Sequence, residues 1–121
     1  MKQPLRILHN PRCGKSRKAL EALQQHGHNP LIVEYLKQPL SHHQIKEICR
    51  LLNIRPALII RKKEPAYALL FNKSSSYSEA QYIDAMSNNP ILIERPIVIS
   101  QNKAWLIRTD DALQALLSEL S

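Results

Sequence analysis

Leu5-Arg6-Ile7-Leu8-His9-Asn10-Pro11-Arg12-Cys13-Gly14-Lys15-Ser16-Arg17 is the stretch on which the fold turns. Leu5–Leu8 is a short apolar run that reads as a buried strand, and His9-Asn10-Pro11 is a turn signal that ends it. A helix is expected from Gly14 or Lys15 to His26. Ala19, Leu20 and Leu23 recur there at helical spacing, and Gly27 stands where a C-cap glycine belongs. Leu31–Tyr35 reads as a second strand. Strand, helix and strand with short connections imply a right-handed parallel βαβ unit. Cys13 then sits at the first strand-to-helix turn.

Outward from this unit, Pro39-Leu40 breaks the chain. Ser41 with Gln44 forms a capping-box pattern, opening a helix whose Ile45, Ile48, Cys49 and Leu52 make one apolar stripe. Leu58–Ile60 is a short apolar run before the basic cluster Arg61-Lys62-Lys63, and Pro65–Phe71 suits a helical turn or two. Asn72–Tyr77 is polar and serine-rich, a loop. Ser78 with Gln81 repeats the capping-box pattern for a helix ending before Pro90. Ile91-Leu92-Ile93, Arg95-Pro96 and Ile97-Val98-Ile99 follow. Gln101-Asn102-Lys103 reads as a hairpin turn into Ala104–Ile107. A last helix opens near Thr109 or Asp110 with Leu113, Leu116, Leu117 and Leu120 on one face. The order βαβ, helical block, ββα predicts an α/β, thioredoxin-like domain over residues 1–121, with a helical insertion at about 41–89.

The bulk properties fit a single domain. The chain has 121 residues, of which 44% are apolar, enough to bury a core unaided. No apolar run approaches the roughly 18 residues that would span a bilayer, and the start does not resemble a secretory leader. A cytoplasmic protein is therefore expected. The two cysteines, Cys13 and Cys49, make neither a disulfide framework nor a zinc site, since no CxxC or HxxxH spacing accompanies them. The net charge of +7 attracts anions. With 5% aromatic residues and no stacking motif, a nucleic-acid-binding module is not expected.

Cys13 carries the chemistry. An ordinary cysteine titrates near 8.5, but a helix N-terminus offers unpaired N–H groups and partial positive charge. Here Gly14, Lys15 and Ser16 would supply the donors. Arg12, Lys15 and Arg17 would add charge, and so would His9 when protonated; each favours the thiolate. The same features bind oxyanions, and Gly14 leaves room for a ligand at the backbone. Ser16 stands where a second cysteine would complete Cys-x-x-Cys, so a second thiol must come from outside. Its hydroxyl could donate to the sulfur or serve the first turn of the helix. Cys49, among isoleucines and leucines, reads as core.

His9-Asn10-Pro11-Arg12-Cys13-Gly14-Lys15-Ser16-Arg17 resembles the signature of the glutathione/glutaredoxin-dependent arsenate reductases. The resemblance continues through Val33-Glu34-Tyr35-Leu36, Leu58-Ile59-Ile60-Arg61 and Asn89-Pro90-Ile91-Leu92-Ile93-Glu94-Arg95-Pro96-Ile97-Val98, and covers nearly the whole chain. It implies a thioredoxin-like fold in which Cys13 attacks arsenate to give a cysteine-thioarsenate. It further implies that Arg61, Arg95 and Arg108 bind the oxyanion, and that His9 favours the thiolate. Asn10, Gly14, Ser16 and Arg17 support the site. Arginine's planar fork of donors suits a tetrahedral oxyanion. Arg95-Pro96 matches the proline turn facing the active cysteine in such folds, and a cis bond is expected there.

The resemblance implies no bound cofactor and no metal. It implies glutathione as co-substrate and glutaredoxin as partner; a monomer is expected, with the oligomeric state left open by the sequence. Two departures stand out: Ile107-Arg108-Thr109 replaces the family's usual Gly-Arg-Pro, and Leu69-Leu70-Phe71 replaces its usual Gly-Leu. Two other activities use the same loop. One is a glutathione-dependent thiol oxidoreductase without arsenate specificity. The other is a redox regulator of RNA polymerase like the Spx proteins, which sense through the Cys-x-x-Cys that Ser16 removes.

Overall fold

The computed structural model describes residues 5–72 and 76–120. Its first elements are strand β1 (Arg6–Leu8), helix α1 (Gly14–Gln25) and strand β2 (Leu31–Val33). β1 and β2 pair in parallel, Arg6 with Leu31 and Leu8 with Val33. α1 ends as its sequence dictates. Gly27 takes φ of 85°, and the Gly27 and His28 N–H groups donate to Gln24 and Leu23 carbonyls at 3.1 and 2.9 Å. This is the Schellman arrangement, for which glycine has no Cβ penalty.

The chain divides into two compact units, Met1–Tyr35 with Arg95–Ser121, and Leu36–Glu94. The first unit adds strands β3 (Ile97–Ile99) and β4 (Ala104–Leu106) and helix α5 (Asp110–Leu120). β3 lies antiparallel to both β1 and β4, so the sheet order is β2-β1-β3-β4. Ile7 and Val98, direct partners across β1 and β3, anchor its core. Ala19 and Leu23 of α1 and Leu113, Leu116 and Leu117 of α5 pack with them. The helical stripes read from the sequence are the buried faces. Truncating Leu23, fully buried, would cost about 2–5 kcal/mol.

The second unit carries α2 (His42–Leu52), α3 (Pro65–Leu70) and α4 (Glu79–Asn88). Both expected capping boxes are present: Ser41 and Ser78 accept from the Gln44 and Gln81 N–H groups, whose side chains accept in return. Ile45, Ile48 and Cys49 of α2 are buried, as are Ile83, Ala85 and Met86 of α4, and the two helices pack together. The apolar runs near residues 58 and 91 are not regular strands. Pro56 and Pro90 each start a 3-10 turn, Pro56–Leu58 and Pro90–Leu92, because a proline at the first helical position sacrifices no hydrogen bond. The segments after those turns meet in a single antiparallel bridge, Ile60 with Ile93. Phe71 stacks on Tyr67 and Tyr82 at 4.7 and 5.1 Å and meets Tyr77 edge-on. Residues 73–75 of the expected loop lie outside the described residues. Among the described residues no helix is long and apolar enough to cross a membrane.

Candidate active site

The turn after β1 is held by backbone and side chain together. The His9 N–H donates to the Val33 carbonyl at 2.9 Å, extending the β1–β2 ladder by one residue. The Cys13 N–H then donates to the Asn10 carbonyl at 3.0 Å, and Asn10 Oδ1 accepts the Arg12 N–H at 3.0 Å. Pro11 occupies the second position of this turn, where its fixed φ is favourable. Cys13 is extended, with φ of −95° and ψ of 123°, and is the N-cap residue of α1. Its carbonyl accepts the first helical bond, from the Arg17 N–H at 3.0 Å.

Beneath the turn lies a small polar knot. Ser16 is fully buried. Its Oγ is hydrogen-bonded to His9 Nδ1 at 2.7 Å and accepts the Asn10 N–H at 3.0 Å. His9 is itself buried, and burial holds its pKa below the ordinary histidine value. Glu34 pulls it upward and Arg17 downward. The imidazole is therefore neutral at neutral pH and acts as a hydrogen-bonding strut. Arg17 reaches back over the turn, its Nη1 donating to the Pro11 carbonyl at 3.1 Å.

The Cys13 thiol is partly exposed. Burial raises its pKa, but the opposing influences win and leave it below the ordinary value. These are the Ser16 N–H, the charge of Arg95, the Lys15 N–H and a hydrogen bond from the Arg95 side chain. The source of activation thus differs from the expectation drawn on charge alone. The side chains of Arg12, Lys15 and Arg17 and the ring of His9 are not among the groups that lower it. Two backbone amides and one distant arginine do that work, as a helix N-terminus and a fixed cation should.

Arg95 precedes a cis peptide bond to Pro96, as expected, and its guanidinium lies against Cys13. Among the described residues, Arg95 Nε is a buried side-chain nitrogen with no hydrogen-bond partner. A charged donor buried without an acceptor is costly, and an oxyanion beside Cys13 would satisfy it. Gly14 faces open space: a Cβ there would meet only Arg17 Nη2, at an ordinary 3.9 Å. The fold itself does not demand glycine at this position.

The other two arginines have surroundings of their own. Arg108 lines a cavity of about 240 Å³ with Lys15, Lys18, Ile107, Asp110 and Leu113. Its neighbour Thr109, which replaces the usual proline, caps α5: its Oγ1 accepts the Ala112 N–H at 3.1 Å. Arg61 belongs to the second unit, where it pairs with Glu64 at 2.7 Å. Its backbone N–H donates to the Leu92 carbonyl at 2.7 Å. Cys49 is buried, and burial together with the Glu79 charge pushes its pKa up to about 11. It is a core thiol, unreactive at neutral pH. Lys18 and Asp110, joined at 2.8 Å, were not among the residues singled out from sequence. Ninety-two positions separate them, and no local pattern joins them.

A parallel βαβ half, an antiparallel ββα half and a partly exposed cysteine at the first helix N-terminus define an α/β protein of the thioredoxin-like class. The model of the ArsC family matches residues 8–116, and the chain belongs to that family. It is 40% identical over 109 residues to the uncharacterized protein YfgD of Escherichia coli (strain K12), covering 89% of this chain and 92% of that one. It is 33% identical over 113 residues to an arsenate reductase of Yersinia enterocolitica, covering 93% and 80% of the two chains. The solved arsenate reductase of Vibrio cholerae superposes with a TM-score of 0.85 at 31% identity, with 98% of each chain covered.

Proposed function

We propose that this protein is an arsenate reductase that draws its electrons from glutathione and glutaredoxin. The observation that carries the reading is Arg95. Its guanidinium favours the Cys13 thiolate and keeps Nε buried and without an acceptor. That combination suits one task, holding a tetrahedral oxyanion against a sulfur nucleophile. Membership of a family containing arsenate reductases supports the choice of oxyanion.

The chemistry balances with three thiols. The Cys13 thiolate attacks pentavalent arsenic; a sulfur–arsenic bond forms and one oxygen leaves as water. Glutathione adds through its own sulfur, and a second oxygen leaves as water. A glutaredoxin thiolate then attacks the glutathione sulfur. The bond between that sulfur and arsenic breaks, its electron pair stays on arsenic, and glutathione departs as a mixed disulfide with glutaredoxin. Arsenic is now trivalent. Water displaces Cys13, releasing arsenite and regenerating the thiolate. Ser16 cannot form a disulfide with Cys13, which accords with an external resolving thiol. No resident cofactor or metal is needed in this scheme. Arg61 and Arg108 join Arg95 as oxyanion ligands in the reading taken from the family resemblance, and the reaction suits a monomer in the reducing cytoplasm.

The test supplies arsenate, glutathione, glutaredoxin, glutathione reductase and NADPH, and follows NADPH consumption. Arsenate-dependent consumption that is lost in Cys13→Ser is expected. Equal rates for the two proteins would sink the proposal. Deglutathionylation of mixed disulfides without arsenate turnover would instead favour a general thiol oxidoreductase.

A further inference from the structure

The second unit holds a cavity of about 740 Å³, lined by none of the residues assigned to the arsenate reaction. That volume falls within the roughly 300–1,000 Å³ of pockets that take up a whole small molecule. Part of the lining is one face of α2. Lys46, Cys49 and Arg50 are spaced i, i+3 and i+4, so they share a side of that helix. The two cations stand one turn, about 6 Å, apart. The start of α4 contributes Glu79 and Ile83. The turn that follows α2 adds Ile54, Arg55 and Pro56.

The lining is unbalanced in charge: Lys46, Arg50 and Arg55 stand against the single carboxylate of Glu79. Among the described residues, the side chains of Lys46 and Arg55 have no ion pair or hydrogen bond. Arg50 is gripped by Glu47, which accepts from its Nε at 3.0 Å and from its Nη2. That grip uses two of the five guanidinium donors and leaves three, in a fixed plane, for a ligand. The Cys49 and Arg50 carbonyls at the end of α2 are taken up by the Ile54 and Asn53 N–H groups, each at 3.1 Å, so these acceptors do not oppose an anion. At the start of α4, by contrast, the capping box engages the Gln81 N–H and Glu79 adds negative charge. A ligand matched to this lining puts its anion on the α2 side and its hydrogen-bond donors on Glu79.

A phosphate monoester carries about −1.5 to −2 charges at neutral pH and matches the excess of cations better than a carboxylate, which carries one. Ile54, Pro56 and Ile83 call for an apolar body behind the anion, which a bare oxyanion lacks. We infer that the cavity between α2 and α4 binds a nucleoside monophosphate: the phosphate lies on Lys46, Arg50 and Arg55, the sugar hydroxyls donate to Glu79, and the base packs on Ile54, Pro56 and Ile83. Planar guanidinium donors suit the phosphate oxygens. This site stands independently of the arsenate chemistry.

The test is an NMR titration of the full-length protein with adenosine monophosphate, with no arsenate present. Saturable amide shifts centred on Lys46, Arg50, Arg55 and Glu79 are expected. Arg55→Ala should bind about tenfold more weakly, the usual cost of losing one charge-assisted bond, and Lys46→Ala should do the same. Both residues are exposed, so each variant should keep the urea midpoint of the wild type. Adenosine, which lacks the phosphate, and ribose phosphate, which lacks the base, should each bind at least about tenfold more weakly than the nucleotide. Glu79→Ala should also weaken binding, because its carboxylate accepts from the sugar; tighter binding in that variant would overturn the placement. Absence of saturation at about 10 mM ligand, shifts centred outside the cavity, unchanged affinity in Arg55→Ala, or ribose phosphate binding as tightly as the nucleotide would each overturn the inference.

Discussion

Replacing Ser16 by alanine removes one oxygen atom from a place that water does not reach. Ser16 is fully buried, and His9 and Asn10 above it are each less than a tenth exposed. The lost Oγ served His9 Nδ1 at 2.7 Å and the Asn10 N–H at 3.0 Å. An unsatisfied buried polar group costs about 1–3 kcal/mol. Two such groups, partly relieved by a shift of the imidazole, give an expected loss of about 2–4 kcal/mol. That is a large share of the 5–15 kcal/mol typical of a folded protein. At this chain length each kcal/mol lowers the Tm by about 4 °C, so a fall of about 8–16 °C follows. Urea unfolding followed by Trp105 fluorescence is the appropriate assay. Trp105 is the only tryptophan in the chain and packs against the core of the unit that holds Ser16. The midpoint should fall with an unchanged slope. Ser118→Ala, an exposed substitution on α5, should stay within about 0.5 kcal/mol of the wild type. A loss below about 1 kcal/mol for Ser16→Ala would refute the view that this hydroxyl holds the active-site turn together.

Two further outcomes follow from the same geometry. Arg95→Met should lower kcat/KM for arsenate by roughly 10- to 150-fold through loss of a charge-assisted contact. It should also raise the Cys13 pKa towards that of an ordinary thiol, read from the pH dependence of iodoacetamide alkylation; an unmoved alkylation profile would contradict the placement of Arg95 at the sulfur. Cys49 predicts an alkaline weakness. Its pKa is pushed from the ordinary thiol value up to about 11 in the fold, so the folded state keeps a proton that the unfolded chain releases, and stability falls as pH rises through that range. The rise corresponds to roughly 3 kcal/mol favouring the protonated thiol. Cys49→Ala should flatten this decline in urea midpoints measured between pH 8.5 and 11, and an equally steep decline in the variant would rule Cys49 out as its source.

What the sequence made legible was local. The capping boxes at Ser41 and Ser78, the glycine ending at Gly27 and the Cys13 N-cap each lie within a few residues, and each is found where the pattern puts it. The parallel pairing of β1 with β2 also followed, because the short connections of a βαβ unit leave few ways to join its strands. Legibility failed where direction or distance decides. Arg17 looks like a cation for Cys13 by spacing, yet its side chain folds back on the Pro11 carbonyl. Its charge is felt by His9 rather than by the sulfur. His9 looks like a second cation, but burial keeps it neutral. The three arginines of the family pattern look equivalent in one dimension. In the structure one meets the sulfur, one lines a cavity with two lysines, and one is paired to Glu64 in the other unit.

Ser16 links the architecture of the turn to the need for an external thiol. A hydroxyl at this position is small enough to be fully buried and strong enough as an acceptor to take the Asn10 N–H while bonded to His9. A thiol is a weak donor and a weak acceptor, and its larger sulfur would crowd a fully buried site. The residue that makes the turn rigid is therefore the one that forgoes an internal disulfide partner for Cys13. Its backbone N–H meanwhile favours the Cys13 anion, so one residue both activates the nucleophile and leaves it without a resolving neighbour.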